Sequence, residues 1–209
     1  MIRSPLPGWD LRRTLYPVGH FASREGSALF TLFTLFTPFF DSAKRHGFHD
    51  KPISDDTCKM LIITELAEAV EAERRSHFAL NELISEIQEV KGTKEWMDEY
   101  ENFVKDSVED EVADTFIRLL DYAGMKGIDL HAFTPAPVQL IGDKTFPESC
   151  YAIIQWMCDY FWKSEEDMVC SILSEIIGLA KIFRIDLDLF VRMKMRYNES
   201  RPYLHGKKF

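Results

Sequence analysis

Two pairs of carboxylates stand out by type and spacing. Glu65 and Glu68 lie three residues apart in the apolar run 61–71, and Glu111 and Asp114 lie three apart in the run 108–117. In a helix, residues i and i+3 share a face about one turn apart. Four carboxylates on two facing helices suit a hard divalent cation such as Mg²⁺, with Mn²⁺ as a substitute, because such ions take oxygen ligands. One ExxE pair alone is also common on a solvated helix face. Two pairs flanked by Leu, Ile, Val and Ala fit solvent less well.

A second group of residues could meet an anion. Arg192, Lys194, Arg196, Arg201, Lys207 and Lys208 stand against the single acid Glu199 in a chain of net charge −9. Lys194, Asn198 and Arg201 fall at i, i+4 and i+7, one helix face. Such a face could hold a triphosphate through an ammonium and bidentate guanidinium groups. The alternative is a solvated basic helix that balances its own dipole. Phe48, Tyr197 and Tyr203 offer rings for stacking on a base, although aromatic residues in an all-helical chain more often fill the core.

The chain has 209 residues, enough for one good core or two small related ones. A hydrophobic fraction of 46% and an aromatic fraction of 13% describe a folded protein. The acidic balance argues against broad binding to nucleic-acid polymers or anionic membranes. Cys58, Cys150, Cys158 and Cys170 form no CxxC pair and sit in apolar helical context. They are expected to be reduced core residues of a cytoplasmic protein. Residues 1–8 lack the apolar run of a signal peptide. The most hydrophobic segment, 28–40, is too short to span a bilayer and is expected to be a core helix. No GxxxxGK, GxSxG or HExxH motif occurs, no histidine has a Glu three residues before it, and the cysteines lack zinc spacing.

The elements that must position the acids are helices throughout. Pro5, Pro7, Gly8, Pro17 and Gly19 make residues 1–25 an irregular arm. The pattern predicts a helix over 26–46, kinked or broken at Pro38 and ended by Gly47, and a second over 56–76 capped by Ser54, Asp55 or Asp56. Residues 78–104 are polar, with a break at Gly92-Thr93, and predict one or two short surface helices. A further helix over 106–126 opens on Ser107 and Asp110, which resemble a capping box, and stops at Gly127. After the Pro135-Ala136-Pro137 connection, helices are expected over 147–162, 165–183 and 186–199. No strand pattern competes, so the fold class is all-α.

The chain also resembles itself. Ser107 to Val112 is similar to Ser164 to Val169, and Gly127 to Phe133 is similar to Arg184 to Phe190, at one offset of 57 without a gap. Three parts follow: the arm 1–25, a first helical unit 26–134, and a second unit with a basic tail, 135–209, packed as one globular body. In the second unit Glu111 corresponds to Met168 and Asp114 to Ser171. On a weaker upstream alignment Glu65 falls on Met157 and Glu68 on Tyr160. Met and Tyr favour interiors, which predicts that all four acids point inward. Inward carboxylates cost several kcal/mol unless protonated, paired or metal-bound. One competent site and one degenerate copy are therefore expected.

At these residues the chain resembles the MazG-like, all-α nucleoside triphosphate pyrophosphatase superfamily. Its ExxE and ExxD signature falls on Glu65/Glu68 and Glu111/Asp114. Residues 43–50, 61–71, 111–121 and 127–130 are similar to its first three helices, and 194–208 to a KxxYNxxRPYxHGKK tail found in one branch. The gap between Glu68 and Glu111 is longer than usual, and the tail follows the second unit. The resemblance implies an Mg²⁺-dependent hydrolase that cleaves a (deoxy)nucleoside triphosphate to a monophosphate and pyrophosphate. It assigns Glu65, Glu68, Glu111 and Asp114 to metal and catalysis, with Glu68 as a candidate proton acceptor, and Lys194, Tyr197, Asn198, Arg201 and Lys207 to the substrate. It also implies a homodimer, or tandem units that replace one such interface internally. The competing reading is a non-catalytic helical module that binds a nucleotide or a protein and keeps vestigial acids.

Overall fold

The computed structural model describes residues 36–80 and 82–202. Among them are eight α-helices and no strand. They are α1 (Phe36–Arg45), α2 (Asp55–Arg74), α3 (Ile84–Glu89), α4 (Thr93–Phe103), α5 (Val108–Met125), α6 (Phe146–Met157), α7 (Glu165–Ile182) and α8 (Leu187–Glu199). The arm, the expected helix before residue 36, Tyr203 and Lys207 lie outside the described residues.

Local chemistry sets the ends of the helices that carry the acids. Ser54 caps α2, its Oγ accepting from Thr57 N at 3.2 Å. Asp55 and Asp56 complement the dipole in the first turn. Cys58, Ile62, Leu66 and Ala69 then recur at helical spacing and are buried. Ser107 caps α5 by accepting from Asp110 N at 3.2 Å. The reciprocal half of a capping box is missing, because the Asp110 carboxylate is used elsewhere. The α5 C-terminus closes through Gly127 at φ 67°, with Ile128 N donating to Ala123 O at 3.0 Å.

Helix α5 is buried on most of its circumference: Val112, Ala113, Phe116, Leu119, Leu120 and Ala123 form one fully buried apolar face, and Glu109, Asp110 and Glu111 are buried outside that face. A helix buried on most sides belongs at the centre. It packs most extensively on α2, then on α8, α1 and α7, while α6 bridges α2 and α7. One hydrophobic cluster runs from Cys58 to Tyr197 through both halves of the chain. No helix among the described residues is long and apolar enough to cross a membrane.

Several expectations are corrected here. The 78–104 segment does form two short helices with Gly92 at the break, but it is not confined to the surface: Trp96 and Tyr100 are 1% and 0% exposed. The helix expected over 147–162 ends at Met157, so Tyr160 stands 99% exposed instead of facing inward. The chain leaves the helix at Cys158 and turns, carrying the next residues outward. Cys58 and Cys150 are buried, whereas Cys170 is half-buried and Cys158 is exposed; all four are free.

Candidate metal centre

Helices α2 and α5 place three carboxylates together. Glu65, Glu111 and Asp114 each offer an oxygen, and these oxygens all lie within 4.8 Å of one another. Glu65 and Glu111 are 4% exposed, and the Asp114 side chain is 21% exposed. Glu68 differs from the inward expectation: it is exposed and lies outside this trio, one turn along α2 from Glu65.

Two cations hold part of the cluster. Arg118 Nε donates to Glu65 Oε1 at 2.9 Å. Lys194 Nζ, on α8, lies 2.7 Å from Asp110 Oδ2 and 2.8 Å from Asp114 Oδ2. Asp110 has no exposed surface, and it accepts from the Tyr100 hydroxyl and from Asp106 N as well. Glu111 makes no side-chain hydrogen bond or ion pair with the described residues. Burial, and next the charge of Asp110, push its carboxyl up to about 9, while Lys194 acts the other way. Burial also raises Glu65, followed by Asp114, against the pull of Arg118. Lys194 is raised: burial opposes its charge, but Asp114 and Asp110 outweigh that cost.

Among the described residues the acids outnumber the cations that touch them. Glu65, Asp110, Glu111 and Asp114 face two cations, Arg118 and Lys194. An all-oxygen trio whose buried Glu111 has no partner among the described residues, its carboxyl held protonated by burial, offers the oxygen ligands that a hard divalent cation takes. A second trio, Asp106, Asp110 and Glu111, also has oxygens within 4.8 Å, but Asp106 is exposed and paired with Lys105.

Beside the trio opens a cleft of about 70 Å³ between α1, α5 and α8. Asp114, Ile117, Arg118 and Asp121 line one wall; Ser42, His46 and Phe48 line another; Met195, Asn198 and Arg201 line the third. Asn198 Oδ1 is buried there without a hydrogen-bond partner among the described residues. His49 Nε2 and Asp121 Oδ1, 2.8 Å apart, tie the α1–α2 loop to α5 behind this cleft.

The structure thus separates the residues expected at the substrate. Asn198 and Arg201 line the cleft beside Asp114. Lys194 does not; it is 5% exposed and committed to Asp110 and Asp114. Tyr197 is also a core residue, stacked on Tyr100 at 4.7 Å, with its hydroxyl donating to Glu101 Oε1 at 2.8 Å. Arg118 and Asp121 were missed, although Glu111, Asp114, Arg118 and Asp121 fall at i, i+3, i+7 and i+10, a helical stripe readable in the sequence. Tyr100 and His49 carried no such signal, since each reaches the site from another segment. No protein-family model matches the chain, and no curated protein or solved structure matches it significantly.

Proposed function

We propose that the chain is a divalent-metal-dependent nucleotide pyrophosphohydrolase that cleaves a (deoxy)nucleoside triphosphate to a monophosphate and pyrophosphate. The observation that carries this reading is the convergence of Glu65, Glu111 and Asp114 beside a cleft lined by an arginine on each of two walls, Arg118 and Arg201. Those three carboxylates would hold Mg²⁺, which when bound supplies charge neutralisation for the phosphates and a more acidic water. Arg201 and Arg118 border the cleft that the substrate would enter. In this reading Glu68, exposed one turn from Glu65, would accept a proton from attacking water.

The same reading includes a duplication. Helices α5 and α7 are both 18 residues long and both start behind a serine whose Oγ caps the third residue. Both also end in a left-handed residue, Gly127 and Arg184, with matching closing bonds of 3.0 and 2.8 Å. The positions of Glu111 and Asp114 are then Met168, buried, and Ser171, half-buried. One metal site, in the first unit, is what this pattern supports.

One observation favours the competing reading of a non-catalytic module: Arg118 and Lys194 already satisfy Glu65 and Asp114. Incubation with a panel of ribo- and deoxynucleoside triphosphates, with and without Mg²⁺, decides between the two. Pyrophosphate release that needs Mg²⁺ and falls at least about 100-fold in Glu65→Gln is expected. Nucleotide or protein binding without turnover would establish the module instead.

A further inference from the structure

Lys194 is the one basic side chain of α8 that is buried at the acid cluster, and its surroundings suit a different task from phosphate binding. Its ammonium is spent on Asp110 Oδ2 at 2.7 Å and Asp114 Oδ2 at 2.8 Å. It does not line the cleft, although its neighbours Met195 and Asn198 do. Only one oxygen of Asp114 is engaged by it, so the other is uncommitted by this bond. Asp110, with no exposed surface, is itself fixed by two further donors, the Tyr100 hydroxyl and Asp106 N.

Tyr100 comes from α4, in the segment between the two acid-bearing helices. Its ring is clamped between Trp96 at 5.1 Å and Tyr197 at 4.7 Å. Helix α4 is in turn fastened to α8. Tyr197 Oη donates to Glu101, and the Arg196 guanidinium lies 4.2 Å from the Trp96 ring centre while donating to Val90 O. A chain of fixed contacts therefore leads from Trp96 and Tyr100 through Asp110 and Lys194 to Asp114. Bound carboxylates depend on such partners for their orientation, and removing one typically weakens metal binding about 10–100-fold.

We propose that Lys194 is a positioning residue for Asp114, and that helix α4 serves the metal centre by holding Lys194 in place through Tyr100 and Asp110. This rests on the metal-binding reading given above. The segment between the acids is then a functional arm of the site and not a surface ornament.

The test is Mn²⁺ binding to the full chain, followed by electron paramagnetic resonance, in wild type, Tyr100→Phe and the double variant Lys194→Met/Asp110→Asn. Tyr100→Phe keeps the ring stack and removes one donor; the double variant removes the Lys194 and Asp110 charges together, so the fully buried Asp110 is not left as an unpaired anion and only the part-exposed Asp114 loses its counter-ion. Thermal melting identifies folded variants. The expected result is a Mn²⁺ dissociation constant raised about 10-fold in Tyr100→Phe and at least as much in the double variant. The nucleotide KM at saturating metal should be unchanged. Wild-type Mn²⁺ affinity in both folded variants would overturn the inference alone, as would a raised KM with unchanged Mn²⁺ affinity, which would make Lys194 a phosphate ligand. Failure of the wild-type protein to bind Mn²⁺ would overturn the metal-dependent function and this inference with it.

Discussion

Glu111 is the residue in which the sequence pattern and the physical cost of the site meet. It is buried on α5, with Asp110 and Asp114 beside it, Glu65 facing it from α2 and Lys194 from α8. Burial first, and Asp110 next, lift its carboxyl to about 9 in the metal-free protein. Between pH about 4.5 and about 9 the native state then holds a proton that the unfolded chain has lost. Stability falls with pH wherever the native state binds more protons than the unfolded state, so this contribution is complete below pH about 4.5 and gone above about 9. The melting temperature of metal-free protein should therefore decline across that window, and decline less in Glu111→Gln. Metal binding near pH 7 should release about one proton, read from the dependence of the calorimetric heat on buffer ionisation. Proton uptake would contradict this account of Glu111. Glu111 and Asp114 were legible because i, i+3 spacing fixes a helix face, but the same rule turned Glu68 inward with Glu65, and of those two only Glu65 is buried. The partner of Lys194 was not legible, since periodicity says which side of a helix is inward and not which helix lies opposite.

At the scale of elements, caps were the most legible feature. Ser107, and Ser54 among the three candidates Ser54, Asp55 and Asp56, do meet the third backbone N–H of their helices, and Ser164, which the repeat aligns with Ser107, does the same. The segment between the acids was legible in outline only. Its break at Gly92 follows from local chemistry, but its many charges masked two anchors, Trp96 and Tyr100, spaced i and i+4 on one face of α4. Two apolar positions among polar neighbours look like an exposed helix unless the surface they dock on is known. If α4 were peripheral, Trp96→Ala would cost little. Because Trp96 is 1% exposed and stacked on Tyr100, the loss should be about 3–5 kcal/mol, measured by urea unfolding. Loss of the ring also removes one support of Tyr100, so the folded fraction should bind Mn²⁺ more weakly than wild type. A stability change below about 0.5 kcal/mol would return the segment to the surface.

The whole molecule is organised around α5, and this was the least legible level. The internal similarity at an offset of 57 suggested two units packed as one body, but sequence periodicity cannot say which helices of the two meet in the core. Here α5 is covered by α2 and α1 from the first half and by α7 and α8 from the second. The acid cluster crosses the same boundary, for Asp110 and Asp114 in the first half share the single ammonium of Lys194 in the second. A chain ended after residue 134 would therefore lose the part of the cover of α5 that α7 and α8 supply, and the counter-ion of a fully buried carboxylate. Stranding a buried charge alone costs about 3–5 kcal/mol, a large share of the roughly 5–15 kcal/mol that holds a typical domain together. Residues 1–134 should accordingly show no cooperative thermal transition by circular dichroism and no specific Mn²⁺ binding. Adding residues 135–209 as a separate chain should restore both only if the pieces reassemble α7 and α8 onto α5. A cooperative transition in residues 1–134 alone would show that the first unit carries its own core, with the second attached to it and not part of it.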